Sequence, residues 1–200
     1  MNGVRMRQDS DSVAKVVEEF VDAVLIPASL EVQRKQPKIK GKKQSWEHCF
    51  KSKLKIDKGD EKTEVKDVDS TPEFYAGWLG YNNGDTDLQW RDTDGENWHI
   101  EIKYVHDEHE SLSNVKNAFV QQIENALRYG HKNLIVLIAD GRDDAKGCKY
   151  LNGGKSVLSF ADFIRKFRDF AWSMYGMQLW TVYGCPANAN SGLFEWHVVQ

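Results

Sequence analysis

Two short runs of alternating apolar and polar residues, separated by an Asp-Gly turn, constrain the fold of this chain more than any other feature. The first run is DLQWRD at residues 87–92, and the second is WHIEIKY at residues 98–104. Alternation with a period of two is typical of strands with one buried face, and Asp-Gly between two such runs is a strong hairpin signal. We therefore predict an antiparallel β-hairpin over residues 87–104.

The turn of this hairpin determines which side chains meet across the two strands. A three-residue loop at residues 93–95, with its glycine in the left-handed conformation, would pair Asp92 with Glu96. Counting outward from that pair places Asp87 opposite Glu101. Two carboxylates are thus expected to face each other across the hairpin.

Further ionisable groups are predicted on the same face. His99, Glu101 and Lys103 alternate with apolar residues, so they share one side of the second strand. The predicted register also puts Asp85 beside Lys103. The other side of the strand carries Trp98, Ile100, Ile102 and Tyr104.

Opposed carboxylates destabilise a pair of strands, because their Cβ atoms are only about 5 Å apart. A divalent cation is the natural compensation, since Mg²⁺ binds one or two carboxylates together with waters and phosphate oxygens. Lys103 could then orient or help to deprotonate a water and offset charge on a phosphorus. This chemistry is metal-assisted phosphodiester hydrolysis, and the alternative is an ordinary polar strand face.

The arrangement resembles the PD-(D/E)XK nuclease superfamily, which has the restriction-endonuclease-like fold. The matching residues are Asp87 leading a strand, a short turn, and then Glu101, Ile102 and Lys103 in the next strand. The resemblance covers roughly residues 45–140. It implies that Asp87 and Glu101 bind Mg²⁺, with Mn²⁺ as a substitute, that the Ile102 backbone carbonyl joins them, and that Lys103 is the catalytic lysine.

The resemblance leaves alternatives open at several positions. Thr86 stands where the family motif has proline, and Asp85 is an alternative ligand to Asp87. Many members bring a glutamate from the preceding helix, for which Glu47 is our first choice and Glu18 the second. Some members of the family also place a glutamine in the helix after the hairpin. The helix predicted at residues 112–130 offers Gln121 and Gln122 near that point, but their spacing does not match the Q-x-x-x-Y motif of the RecB-like branch. Small enzymes of this type cleave duplexes as homodimers, so a homodimer is expected.

Positive charge is concentrated in one segment. Residues 34–58 contain ten lysines and arginines against two acids, whereas the whole chain has a formal charge of −3. Such a segment can face a polyanion, and DNA is the expected partner. The alternative is a solvated basic loop. The lysines expected to contact phosphates are Lys38, Lys40, Lys42, Lys43, Lys51 and Lys53.

The rest of the chain predicts a single α/β (α+β) domain over residues 1–200, with a mixed central sheet flanked by helices. A first helix begins at about Ser10 and is stopped by Pro27, a short one spans 45–54, and others span 112–130 and 159–176; further strands are predicted at 74–81, 133–141, 178–184 and 193–199. Three widely spaced cysteines suggest free thiols in a reducing compartment. We expect a soluble, cytoplasmic protein with no membrane segment.

The sequence therefore predicts a Mg²⁺-dependent DNA endonuclease, possible settings being restriction, mobile elements or defence. A second hypothesis is a non-catalytic domain that keeps the fold and binds nucleic acid or a protein partner through its basic segment.

Overall fold

The structure is a computed structural model that describes residues 10–27, 30, 86–92, 94–105, 112–141, 148, 151, 159–186 and 194–200. Helix α1 continues directly into a π-helical segment, and the other elements within these described residues are five strands and two further helices. In chain order they are α1 (Ser10–Phe20), the π-helix (Val21–Leu25), β1 (Leu88–Arg91), β2 (Asn97–Val105), α2 (Leu112–Tyr129), β3 (Asn133–Asp140), α3 (Phe160–Tyr175), β4 (Gln178–Pro186) and β5 (Phe194–Val199).

The five strands form one mixed sheet in the order β1-β2-β3-β4-β5. Strands β2, β3 and β4 are parallel, while β1 and β5 pair antiparallel at the two edges. Parallel neighbours need a crossover connection, and α2 and α3 lie in the segments that join β2 to β3 and β3 to β4. The structure confirms the predicted α/β class with a mixed sheet and flanking helices.

Helices cover both faces of the sheet and divide the core into two layers. On the α1 face, α1 packs against side chains such as Trp90, Ile100 and Leu137. On the α2/α3 face, those two helices pack against Val136, Ile138 and other residues whose side chains point to the other side of the sheet. All eight residues of β3 are buried, as a central parallel strand covered on both faces requires.

The helix ends follow signals present in the sequence. The Ser159 side chain caps α3 by accepting a hydrogen bond from the Asp162 N–H at 3.1 Å. Gly176, with φ of 65°, ends the same helix in the left-handed conformation. Gly130, with φ of 77°, follows α2 in the same way. The predicted helices and strands are confirmed wherever they fall on described residues, except that Val21–Leu25 of the first helix is π-helical and the helix includes Pro27, which was expected to stop it.

Two of the predicted elements and the basic segment lie outside the described residues. These are the short helix at 45–54, the strand at 74–81, and residues 34–58 with their lysines. Among the described helices, none is long and apolar enough to cross a membrane.

The expectation that all three cysteines are free is wrong. Cys148 and Cys185 form a disulfide, with their Cα atoms 5.4 Å apart and 37 positions apart in sequence. Both are buried on the α2/α3 face. Their spacing gave no sign of pairing, because the two cysteines are distant in sequence and meet only in the folded chain. Cys49 lies outside the described residues.

Candidate active site

The hairpin has the register predicted from its turn. Leu88 pairs with Ile100 and Trp90 with Trp98. Continuing this register by one residue beyond β1 places Asp87 opposite Glu101.

The carboxylate of Asp92 fixes the turn that sets this register. Its Oδ1 accepts hydrogen bonds from the backbone N–H groups of Asp94 (3.0 Å) and Glu96 (2.9 Å). Its Oδ2 accepts from Nε1 of Trp98 at 2.9 Å. The Asp92 N–H donates to the Glu96 carbonyl at 3.0 Å, and Gly95 has φ of 82°. The predicted three-residue loop with a left-handed glycine is therefore confirmed.

Asp87 is held against the backbone of β2. Its Oδ2 accepts a hydrogen bond from the Ile102 N–H at 2.8 Å, so the carboxylate serves as an acceptor just beyond the end of β1. In an antiparallel ladder the N–H and C=O of one residue point toward the same neighbouring strand. The Ile102 carbonyl oxygen therefore lies on the Asp87 side of β2.

Glu101 and Lys103 form an ion pair on the α2/α3 face. The Lys103 Nζ lies 2.8 Å from the Glu101 Oε1; the Glu101 side chain is 3% exposed and that of Lys103 is 32% exposed. A buried carboxylate needs such a partner, because desolvation of an unpaired charge is costly. The pair thus joins a buried anion to a cation that reaches solvent.

His99 is buried, contrary to the surface position that its place on a polar strand face suggested. It is 6% exposed, and its ring stacks on that of His131 with centroids 3.4 Å apart. Burial, with a smaller contribution from the charge of His131, lowers the pKa of His99 from 6.5 to about 3. His99 is therefore a neutral part of the core at physiological pH.

Gln122 lies beside this face; its spacing does not fit the family glutamine for which it was considered, and its structural contact was not predicted from the sequence. Its side chain is fully buried, and its Nε2 donates to the backbone carbonyl of His99 at 2.9 Å. Its position in the apolar stripe of α2, between Phe119 and Ile123, was the available signal, since a polar residue in a core-facing stripe needs a hydrogen-bond partner.

The structure joins Asp87 to Ile102 and Glu101 to Lys103 within one hairpin, whereas Glu18 contacts Gln200. Helix α1 packs on the opposite face of the sheet from Glu101, and the Glu18 Oε1 accepts from Gln200 Nε2, just after β5, at 3.1 Å. The choice of Glu18 as a helix glutamate is therefore wrong. Glu47 and Asp85 lie outside the described residues.

The donor set fits a hard divalent cation. Asp87 and Glu101 contribute carboxylate oxygens, Ile102 contributes a carbonyl oxygen, and such oxygens are the ligands that Mg²⁺ prefers. A carboxylate has about four lone-pair positions, so Asp87 can keep its bond to the Ile102 N–H while binding a cation. The partly exposed Lys103 ammonium lies 2.8 Å from the Glu101 Oε1.

No protein-family model, curated protein or solved structure matches the chain.

Proposed function

We propose that this protein is a Mg²⁺-dependent DNA endonuclease with a restriction-endonuclease-like core. The observation that carries the proposal is the Asp87 carboxylate bound to the peptide N–H of Ile102, the residue between Glu101 and Lys103. Asp87 and the Glu101–Lys103 ion pair thus belong to one hairpin. Among the described residues the order is helix, two strands, helix and strand, which matches part of the helix, three strands, helix and strand that the resemblance implies; the remaining strand is predicted at 74–81, outside the described residues.

Asp87, Glu101 and the Ile102 carbonyl would hold the cation. When bound, Mg²⁺ lowers the pKa of a coordinated water and neutralises charge on the scissile phosphate. The burial of Glu101 strengthens its electrostatic interactions, because the local dielectric constant is lower than that of water.

Lys103 would act on the phosphate and on the attacking water. Its ammonium is fixed by Glu101 but retains 32% side-chain exposure, so a DNA backbone can approach it. There it would orient the water for attack on phosphorus and offset the negative charge that develops as the P–O bond to the leaving oxygen breaks.

The DNA-binding part of the proposal depends on the basic residues 34–58. Neutralising several phosphates would make binding strongly dependent on salt. A homodimer would supply two active sites for the two strands of a duplex. Binding that is insensitive to salt would argue against a role for these lysines, and a monomer would favour nicking or single-strand cleavage.

One observation favours the second candidate, a non-catalytic nucleic-acid-binding or partner-binding domain. The ion pair with Lys103 neutralises Glu101, and the backbone contact of Asp87 completes the end of a β-ladder. Both contacts stabilise the fold without any metal. A titration with Mn²⁺ separates the two candidates, since the endonuclease predicts uptake of the ion that is lost in Asp87→Asn.

The decisive experiment is cleavage of plasmid, linear DNA and RNA with Mg²⁺, Mn²⁺ or EDTA. The wild type is compared with Lys103→Ala and Glu101→Gln, and with Lys166→Ala, which removes an exposed lysine of α3, as the matched control. Metal-dependent cutting lost in the two hairpin variants and kept in the control supports the endonuclease. If the wild type cuts no substrate, or if Lys103→Ala still cuts, the assignment fails.

A further inference from the structure

A second group of potential metal ligands lies at the opposite edge of the sheet from the hairpin. It consists of Cys148, Cys185 and His197, whose ligating atoms all lie within 4.8 Å of one another. In the structure the two cysteines are joined as a disulfide. The group is separate from Asp87 and Glu101, because it is built on β4 and β5 rather than on β1 and β2.

The register of β4 and β5 explains why these side chains meet. Cys185 pairs with Glu195, and Tyr183 pairs with His197. Side chains two apart on a strand share a face, so Cys185 and His197 are diagonal neighbours on the α2/α3 face. Cys148, from the segment between β3 and α3, reaches the same face.

The two cysteines of this group are buried, and the histidine lies at the partly exposed edge of the sheet. Cys148 is 7% exposed and Cys185 is fully buried. His197 is partly exposed at the edge strand, but its Nε2 is inaccessible to solvent and accepts or donates no hydrogen bond. That nitrogen lies 3.3 Å from the Glu195 Oε1.

We propose that reduction of the Cys148–Cys185 disulfide converts this group into a Zn²⁺ site. Two thiolates and an imidazole are ligands that Zn²⁺ prefers, and spacing within 4.8 Å is compatible with one tetrahedral ion. Glu195 or a water would take the fourth position. The disulfide and the zinc-bound form exclude each other, because a cystine sulfur is not a thiolate.

A dithiol can supply the electrons and protons that convert the disulfide form into the reduced form that binds Zn²⁺. The dithiol transfers two electrons and two protons to Cys148 and Cys185, the protein S–S bond breaks, and the dithiol becomes a disulfide. Binding of Zn²⁺ then displaces one proton from each cysteine thiol. The net products are the zinc-bound protein, the oxidised dithiol and two protons.

The test is a titration of the full-length protein with Co²⁺, whose absorption reports thiolate coordination, followed by displacement with Zn²⁺. The protein is first treated with EDTA and either left oxidised or reduced with a phosphine in the absence of oxygen. We expect the reduced wild type to bind one Co²⁺ with thiolate-to-metal charge-transfer bands, and the oxidised wild type to show no such bands.

Matched variants assign the ligands. Cys185→Ser and His197→Gln should each lose the tight site, whereas Cys49→Ser and His131→Gln should keep it. His197→Gln changes a partly exposed residue of an edge strand, so it tests the site even if Cys185→Ser does not fold. The proposal is overturned if the reduced wild type binds no metal with thiolate bands, or if binding survives His197→Gln or depends on Cys49.

Discussion

The Asp87 carboxylate and the Ile102 peptide N–H are joined by a 2.8 Å hydrogen bond at the point where the pairing of β1 with β2 ends. Through this bond a side chain takes over the role of a backbone acceptor. Asp87 is thereby tied to the peptide unit that separates Glu101 from Lys103, so its position relative to both side chains is restricted.

Two substitutions at Asp87 separate its charge from its hydrogen bond. Asp87→Asn keeps an oxygen acceptor for the Ile102 N–H but removes the charge that a cation needs. We expect nuclease activity to fall at least about 100-fold, while the free energy of unfolding changes by less than about 1 kcal/mol. DNA cleavage and urea denaturation measure the two effects.

Asp87→Ala is the companion variant, because it removes the acceptor as well. It should lose activity to the same extent and also lose about 1–2 kcal/mol of unfolding free energy, as expected for a hydrogen bond to a charged acceptor. Equal stability of the two variants would show that the contact contributes nothing to the fold. Full activity of Asp87→Asn would exclude Asp87 as a metal ligand.

The Glu101–Lys103 pair predicts a coupling that a double-mutant cycle can measure. Lys103→Met leaves the buried Glu101 carboxylate without its 2.8 Å partner. We expect a loss of about 1–3 kcal/mol, less than for a fully buried pair because Lys103 is partly exposed. Adding Glu101→Gln should recover part of that loss, and strictly additive unfolding free energies would contradict the prediction.

His99 predicts a loss of stability in mild acid. Its folded pKa of about 3 lies below the 6.5 of the unfolded chain, so between these values the unfolded state binds a proton that the folded state does not. Stability is therefore fully present above about pH 6.5 and falls as the pH drops, by at most about 1.4 kcal/mol per pH unit.

The measurement is urea denaturation of the wild type and His99→Gln between about pH 4.5 and about pH 7.5. This range covers the upper part of the interval between the two pKa values and extends above it. Because the variant lacks this titrating group, its unfolding free energy should depend less steeply on pH than that of the wild type. The difference in unfolding free energy between the two proteins should therefore shrink toward acid. Parallel curves would show that His99 does not remain neutral in the folded protein.

Reduction of the disulfide should destabilise the metal-free protein. The Cys148–Cys185 bond closes a loop with a sequence separation of 37, for which the chain-entropy estimate is about 4 kcal/mol. Denaturation of EDTA-treated protein, oxidised and reduced, gives the difference. A Cys148→Ala/Cys185→Ala double variant should not respond to reductant, and an equal response would assign the effect to another group.

Gly184 predicts a packing defect when a side chain is added. It lies in β4 opposite Trp196 of β5, and the Trp196 ring occupies the space where a Cβ would stand. Gly184→Ala should therefore cost about 1–3 kcal/mol of unfolding free energy. Trp196→Leu replaces the ring with a smaller side chain, so it should reduce the unfolding free energy that Gly184→Ala costs. Thermal denaturation of the single and double variants tests this.

The hairpin shows how far sequence reasoning reaches. Its strands, its loop and its register follow from local rules, because alternation and turn chemistry act over a few residues. The opposition of Asp87 to Glu101 was predictable for that reason. The caps of α3 at Ser159 and Gly176 were predictable in the same way.

Features that depend on distant parts of the chain were not predictable. His99 looked like a surface residue because its strand face has a polar pattern, but in the fold its ring stacks on His131 and its carbonyl accepts from Gln122 of α2. The disulfide likewise depends on how the segment before α3 returns to β4. In both cases tertiary contacts determine an environment that the local pattern does not record.

The turn held by Asp92 has a consequence for how this chain can diverge. Its carboxylate restricts the length of the loop, because it accepts hydrogen bonds from the backbone N–H groups of Asp94 and Glu96 and from the Trp98 Nε1. Inserting one residue there would shift β2 against β1 and set inward-facing positions against outward-facing ones. Homologous chains should therefore tolerate substitutions in this loop far better than changes in its length.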